Sequence, residues 1–201
     1  MTRLGMVIDL KKCIGCHTCT IACKAAHGTP PGIFWNLVID QEVGTYPSVK
    51  RQFIPRPCMH CEKAPCIDAC PTGASYKCED GTVLIEEKKC VGCRQCILAC
   101  PYGARYFNQG KGGYFKSGLI PPEEIYNQDR EPGVVEKCDF CAAKVKRGEE
   151  PVCITACPLQ ARSFGDLEDQ KSEVYQMIRS RQGFQLLKDL GTEPAVFYLL
   201  S

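Results

Sequence analysis

The chain has 201 residues, and 25 Lys and Arg against 23 Asp and Glu give it a formal net charge of +2. The sequence contains no basic stripe with interleaved aromatic residues, so we expect no nucleic-acid partner. No run reaches the roughly 18 apolar residues of a membrane span. Seventeen cysteines, however, indicate a chain held together by crosslinks or by metal rather than by its apolar core alone.

Metal ligands explain these cysteines better than disulfides do. The cysteines occur in clusters with two residues between neighbours, a spacing too local for crosslinks between distant loops. No cleavable apolar leader is recognised at the start of the sequence, so we also expect a chain without its own export signal. Basic residues flank the clusters and form either a solvated surface or a set of charges that offset bound metal. They are Lys11, Lys12, Lys24, Lys63, Lys88, Lys89, Arg94, Lys137 and Lys144.

Four runs of four cysteines follow one another along the chain. The third run has gaps of two, two and three residues before Pro101, as in the bacterial ferredoxin run that binds a [4Fe-4S] cluster and lends its fourth thiolate to a second cluster. The other runs vary the middle gap or the closing residue. In chain order the runs are Cys13, Cys16, Cys19 and Cys23; Cys58, Cys61, Cys66 and Cys70; Cys90, Cys93, Cys96 and Cys100; and Cys138, Cys141, Cys153 and Cys157.

The elements predicted around these runs are short. Met6 to Leu10 and Thr82 to Ile85 have the apolar character of strands, and each leads into a cysteine run. Between the third and fourth cysteine of every run, a mainly apolar triplet favours one turn of helix. Proline after the fourth cysteine stops that turn in the last three runs, whereas Lys24 takes its place in the first.

Two longer stretches separate the runs. Ile33 to Ile39 and Lys50 to Ile54 predict an extra hairpin, in which the single tryptophan, Trp35, serves as a packing residue or as an interface anchor. Residues 108–134 are rich in Gly, Pro and charge. A loop of that length in a compact domain is usually functional or mobile, so we predict an irregular loop that contacts a partner.

Three further signals complete the pattern of elements. Glu79-Asp80-Gly81 predicts a hairpin turn between the second and third runs. Ser172 predicts the N-cap of a surface helix, and Ala195 to Leu200 predicts a buried strand. Cys78 matches no run, and we expect it to be a buried or partly exposed bystander.

The spacing of the runs predicts an α+β fold built from two nested ferredoxin-like two-cluster units, with short strands, short helices and long irregular loops. Residues 55–107 would form the inner unit, because only 19 residues separate its two runs. Residues 1–27 and 135–201 would meet around it as the outer unit, an arrangement that needs no crossed connections. Residues 28–54 and 108–134 would then be insertions that contact partners.

Two other cofactors have partial signals in the sequence. The pairs of the last run, separated by eleven residues, also resemble a zinc site, although Pro158 repeats the ferredoxin pattern. Cys13 to His17 matches the attachment pattern of a c-type haem, but haem would leave Cys19 and Cys23 without a role. We therefore favour four iron–sulfur clusters, with zinc as the competing hypothesis.

The motifs together resemble those of a known family. With four runs in these spacings, the Cys-Pro-Thr-Gly-Ala and Cys-Pro-Tyr-Gly-Ala repeats, and the opening Gly5 to Cys13, the chain resembles the four-cluster iron–sulfur subunits of molybdopterin oxidoreductases. These include the polysulfide, thiosulfate, tetrathionate, arsenate and dimethyl sulfoxide reductase complexes. The resemblance implies that runs one and four, and runs two and three, exchange their last cysteines. The implied ligand sets are Cys13, Cys16, Cys19 and Cys157; Cys138, Cys141, Cys153 and Cys23; Cys58, Cys61, Cys66 and Cys100; and Cys90, Cys93, Cys96 and Cys70.

The resemblance also implies a function and partners. It implies a non-catalytic subunit that relays single electrons through four [4Fe-4S] clusters in an anaerobic respiratory oxidoreductase. The implied partners are a large catalytic subunit with molybdenum or tungsten and often a membrane subunit that exchanges electrons with quinone, or else a soluble carrier. Such complexes commonly lie outside the cytoplasmic membrane by co-export with the catalytic subunit, and a cytoplasmic complex fits equally. The alternatives are a polyferredoxin of a hydrogenase or formate-linked complex and a zinc-binding structural adaptor.

Overall fold

The computed structural model describes residues 2–110, 113–115, 118–128 and 131–200. Short strands and helices alternate, as expected for the α+β class. The strands are β1 (Leu4–Asp9), β2 (Leu37–Val43), β3 (Lys50–Arg56), β4 (Ser75–Lys77), β5 (Val83–Ile85), β6 (Tyr106–Phe107), β7 (Val135–Glu136), β8 (Arg162–Asp166) and β9 (Val196–Leu199). The helices are α1 (Thr18–His27), α2 (Pro65–Asp68), α3 (Gln95–Leu98), α4 (Pro121–Gln128), α5 (Ala142–Val145), α6 (Val152–Thr155) and α7 (Glu173–Ser180), with 3-10 turns at Glu87–Lys89 and Lys188–Leu190.

A three-stranded sheet joins the two ends of the chain. Its order is β8-β1-β9, with β1 antiparallel to β8 and parallel to β9. Met6, Val7 and Ile8 are fully buried, because the central strand is covered on both faces. The strands predicted near each end of the chain are therefore confirmed, and β1 begins two residues before the predicted start.

Three two-stranded ribbons complete the strand structure: β2 with β3, β4 with β5, and β6 with β7. The first is the predicted extra hairpin, with Leu37 opposite Arg56 and Val43 opposite Lys50. The second is the hairpin expected around Gly81, which has a positive φ of 79°. Isolated ribbons of this size are marginally stable in water, so their stability must come from packing against the rest of the chain.

The first cysteine run differs from the others in the length of its helix. α2, α3 and α6 each have four residues, as predicted, and a proline follows shortly after each. In the first run a single turn is the wrong prediction: α1 continues through Lys24 for ten residues and ends at Gly28, whose φ of 54° is left-handed. The absence of proline after Cys23 removes the stop, and glycine supplies it later.

The stretch predicted as an irregular loop contains a helix. α4 spans eight residues of it, beginning with prolines that are tolerated in a first helical turn. Residues 111, 112, 116, 117, 129 and 130 of the predicted loop lie outside the described residues. Among the helices that are described, none combines the length and apolar character needed to cross a bilayer.

The predicted cap of the surface helix is confirmed. The backbone N–H of Tyr175 donates to the side-chain oxygen of Ser172 at 3.2 Å, which satisfies one of the free donors at the start of α7. Val174 is buried, and Met177 and Ile178 pack beside it against β1 and β9. α7 therefore covers the face of the three-stranded sheet that the cysteines do not occupy.

Candidate metal centres

The first group of cysteines forms where α1 packs against α6. Cys13, Cys16 and Cys19 line a cavity together with Cys157, which follows α6. Burial raises the pKa of Cys13, and the nearby sulfurs of Cys19 and Cys157 raise it further. Three members of this group come from one end of the chain and the fourth from the other.

The second group forms where α2 packs against α3. Cys90, Cys93 and Cys96 line a cavity with Cys70, the last cysteine of the preceding run. Burial acts to raise the pKa of Cys70, but hydrogen bonds from residues such as Ser75 lower it to about 7. Backbone donors around this sulfur therefore favour its thiolate form, which is the form that binds metal.

The third group has three buried members and one partly exposed member, Cys100. Cys58, Cys61 and Cys66 are 7–9% exposed, and Cys100 of the following run lies close enough to interact with Cys61. Burial raises the pKa of Cys61 to about 12, and the sulfurs of the other three contribute to the increase. The buried thiol of Cys61 therefore stays protonated unless a positive charge, such as a metal ion, binds beside it.

The fourth group is also buried and contains a member from the first run. Burial raises the pKa of Cys138, with further increases from Cys23 and Cys153. Burial, together with the nearby sulfurs of Cys141, Cys23 and Cys19, raises the pKa of Cys153 to about 11 against the lowering effect of Arg162. The chain thus places Cys23 of α1 beside the three closely packed cysteines of the last run.

The two buried groups meet at a pair of stacked rings. His60 lies between Cys58 and Cys61, and Phe140 lies between Cys138 and Cys141. Their ring centroids are 3.6 Å apart, and both residues are 1% exposed. The N–H of Val83 donates to His60 Nδ1 at 3.0 Å, which fixes the orientation of the imidazole. The third and fourth groups are therefore neighbours in the centre of the molecule.

The sixteen cysteines fit iron–sulfur clusters in their chemistry. Each group offers four soft sulfur ligands, the donor set that a [4Fe-4S] cluster takes in ferredoxins. Crowded buried thiols cannot ionise together without a positive partner, and metal binding displaces their protons. The Nε atom of the buried side chain of Arg105 also has no hydrogen-bond partner within the described residues, so the site has an unused donor for an acceptor such as a cluster sulfide.

The competing zinc and haem hypotheses do not match this arrangement. The cysteines of the last run are split, because Cys157 lies with the first group and Cys138 with the fourth. Haem attachment would use Cys13 and Cys16, which instead line one cavity with Cys19 and Cys157. The remaining cysteine, Cys78, belongs to none of the four groups. It is partly exposed, and among the described residues no second cysteine lines the cavity beside it.

Two buried arginines beside these groups were not predicted. Arg105 and Arg162 are 3% and 4% exposed, and each donates to a cysteine sulfur. A signal was present, because each arginine directly follows a Cys-Pro-x-x-Ala repeat. Of the flanking basic residues, which the sequence left as either a solvated surface or charges that offset metal, Lys24 donates to backbone carbonyls. Lys137 also donates to a backbone carbonyl, and its charge offsets part of the increase that burial causes in the pKa of Cys66.

Gly92 provides a test of how closely the backbone wraps the second group. Its φ is +66°, and an added Cβ would overlap the backbone carbonyl of Gly133. We expect Gly92→Ala to lower the free energy of unfolding by about 2–4 kcal/mol, from the left-handed backbone plus overpacking. Thermal unfolding of the iron-loaded protein measures the change. Gly73 has the same φ with no atom within 4 Å, so Gly73→Ala should cost only about 1 kcal/mol. Equal losses would contradict the close approach.

The cysteine groups define the class of this protein: an iron–sulfur protein with ferredoxin-like cluster sites. Residues 49–120 and 115–167 match the family model of the 4Fe-4S dicluster domain, and residues 4–25 match that of the 4Fe-4S binding domain.

Curated relatives cover nearly the whole chain. One selenate reductase subunit, from Mesobacillus selenatarsenatis, is 44% identical over 96% of this chain and 70% of its own length. The arsenate respiratory reductase iron-sulfur subunit of Shewanella sp. (strain ANA-3) is 39% identical, with 99% of this chain and 97% of the relative covered. One tetrathionate reductase subunit, from Salmonella typhimurium, is 36% identical over 98% of this chain and 72% of its own length.

The chain therefore belongs to the 4Fe-4S dicluster family, among the iron–sulfur subunits of respiratory reductases. This membership confirms three predictions from the sequence. The cofactors are [4Fe-4S] clusters, the role is electron transfer, and the chain is not the catalytic subunit of its complex.

Proposed function

We propose that this chain relays single electrons through four [4Fe-4S] clusters in an anaerobic respiratory oxidoreductase. The relay runs between a large molybdopterin catalytic subunit, with molybdenum or tungsten, and a quinone-linked membrane subunit or a soluble carrier. The supporting observation is the convergence of sixteen cysteines into four groups of four. Bound clusters supply one-electron redox chemistry, and the chain supplies their ligands and excludes water from the two central sites.

The proposed ligand sets each combine three cysteines of one run with the last cysteine of another. The cavities and the electrostatic contacts described above support this assignment in all four groups. The sets are Cys13, Cys16, Cys19 and Cys157; Cys90, Cys93, Cys96 and Cys70; Cys58, Cys61, Cys66 and Cys100; and Cys138, Cys141, Cys153 and Cys23.

The exposure of the groups supports a linear relay. Cys16 and Cys93 are exposed, whereas the fourth group is buried and only Cys100 of the third group is partly exposed. The third and fourth groups adjoin at the stacked rings of His60 and Phe140. Electrons would thus enter and leave at the first and second groups. Ile14 and Val91 flank these ends and are 59% and 68% exposed, which suits short electron-transfer contacts with partner proteins.

The same grouping supports two nested units. In the outer unit, residues 1–27 with 135–201, β1 pairs with β8 and β9, and α1 packs on α6. In the inner unit, residues 55–107, α2 packs on α3 beside the β4–β5 hairpin. We propose residues 28–54 and 108–134 as partner contacts, because Tyr46 and Ile125 expose 89% and 65% of their surface.

The names of the relatives support a catalytic partner. The selenate, arsenate and tetrathionate reductase relatives are each named as one subunit of a reductase. We propose that the present chain likewise binds a large catalytic subunit in a membrane-associated complex, on the extracytoplasmic side by co-export or else in the cytoplasm. The terminal substrate belongs to that subunit.

Iron and acid-labile sulfide analysis tests the cofactor content. Anaerobically purified protein should contain about sixteen iron and sixteen sulfide per chain, four of each per cluster. Colourless protein with zinc would contradict the proposal. Co-purification of a large subunit that contains molybdenum or tungsten tests the partner, whereas a hydrogenase or a formate-linked complex without either metal would support a polyferredoxin instead.

A further inference from the structure

Arg105 lies between the two cysteine groups of the inner unit. Its Nη2 donates to the Sγ of Cys66 at 3.0 Å, and the guanidinium also interacts with the sulfur of Cys96. Cys66 belongs to the third group and Cys96 to the second. Nη1 donates to the Oγ of Ser75 at 2.8 Å, which holds the guanidinium plane in this position. One planar cation therefore contacts a ligand of each neighbouring cluster site.

Arg162 repeats this arrangement in the outer unit. Its Nη2 donates to the Sγ of Cys19 at 3.3 Å and to the Oδ1 of Asn36 at 3.0 Å. The guanidinium also interacts with the sulfur of Cys153. Cys19 belongs to the first group and Cys153 to the fourth. In both units the contacted sulfurs are the third cysteines of the two runs.

Among the residues that the structure describes, neither guanidinium has a carboxylate to neutralise it. No Asp or Glu forms an ion pair with Arg105 or Arg162 within the part of the chain that the structure describes. Both side chains are almost completely buried, and arginine keeps its charge in proteins. A buried charge without an opposite charge is strongly destabilising. The negative charge must therefore come from the thiolates and the clusters that they bind.

The positions of the arginines follow the internal repeat. Cys100 is followed by Pro-Tyr-Gly-Ala and Arg105, and Cys157 by Pro-Leu-Gln-Ala and Arg162. The corresponding position after Cys70 holds Ser75, which accepts a hydrogen bond from Arg105. Each unit thus has one arginine, which directly follows the repeat of its later run.

We propose that Arg105 and Arg162 are bridging cations, one in each unit, that raise the reduction potentials of both clusters of their own unit. The inference rests on the proposed four-cluster function. A reduced cluster carries one more negative charge than an oxidised cluster, so a fixed cation beside it stabilises the reduced form. Because each guanidinium contacts a ligand of two clusters, its charge acts on both members of the pair and not on the pair in the other unit.

Redox titration of the intact, fully loaded protein tests this role, with paramagnetic resonance used to follow each cluster pair. Arg105→Gln should lower the potentials of the inner pair, with at least a tenfold change in the one-electron equilibrium, about 59 mV, and leave the outer pair unchanged. Arg162→Gln should do the reverse. Arg105→Lys keeps the charge but loses the planar guanidinium that reaches both sulfurs. It should therefore shift the reduction potential of at most one member of the inner pair. Arg51→Gln, which removes an exposed charge that is paired with Asp40, is the control and should shift neither pair.

Each result of these titrations either supports or overturns the proposed role of Arg105. Unchanged inner potentials in an Arg105→Gln protein with full iron content would overturn the proposal, as would equal shifts in both pairs. If Arg105→Gln loses the inner clusters, the potentials of Arg105→Lys decide. Retained clusters with at least one inner potential unchanged support the proposal, and lost clusters or a tenfold shift in both inner clusters would overturn it. Iron content near sixteen in the unmodified protein keeps this test separate from the cluster assignment itself.

Discussion

Removal of iron and sulfide is expected to abolish the cooperative unfolding transition of this protein. Seven cysteines belong to its main hydrophobic cluster, so the metal ligands form a substantial part of the core. Most of the helices that carry these ligands have four residues, too few to be stable alone, and the ribbons have two strands. The loss should therefore amount to the whole free energy of unfolding, on the order of 5–15 kcal/mol for a domain.

Circular dichroism during thermal unfolding measures this loss. The iron should be chelated anaerobically under strong reductant, so that the seventeen cysteines form no disulfides. The same treatment without chelator is the control and should leave the transition in place. Restoring iron and sulfide should restore the transition. An apoprotein that unfolds cooperatively near the midpoint of the loaded protein would show that the polypeptide packs without its cofactors.

Cys100→Ala is expected to remove the cluster of another run, the one held by Cys58, Cys61 and Cys66. In the structure, Cys100 interacts with Cys61, which is the basis of this assignment. Iron content should fall from about sixteen to about twelve per chain. The paramagnetic signals of the outer pair should be unchanged.

Cys78→Ala is the matched control for this experiment. Cys78 is partly exposed and lies in a cavity with no other cysteine among its described lining residues. Its replacement by alanine should therefore leave the iron content at about sixteen per chain.

Loss of only the cluster held by Cys90, Cys93 and Cys96 in the Cys100→Ala protein would refute the exchange of ligands between runs.

Local features of the fold could be predicted because they depend on a few adjacent residues. Apolar runs predicted β1, β9 and the β2–β3 hairpin, and Ser172 predicted the start of α7. Proline after the last cysteine predicted the short helices, and its absence after Cys23 accounts for the longer α1. α4 was missed because its first turn contains two prolines, which were read as signals for a loop.

Features that depend on distant residues were harder to predict. Family resemblance, rather than spacing, supplied the exchange of last cysteines between runs, and that exchange stays a prediction until Cys100→Ala is measured. The stacking of His60 on Phe140 and the contacts of Arg105 and Arg162 join parts of the chain that are far apart in sequence. No short sequence pattern predicts which cysteine sulfur a buried arginine will contact.

The position of β1 has a consequence for how the chain matures in the cell. This strand precedes the other strands in the chain, yet both of its sheet partners, β8 and β9, lie beyond residue 160. Such non-local pairing must wait until the chain has been synthesised through β9, whereas α2, α3 and the β4–β5 hairpin can assemble earlier during translation. The cellular machinery that delivers iron and sulfide would therefore bind an incompletely folded chain. Its central sites would stay exposed until β1 pairs with β8 and β9.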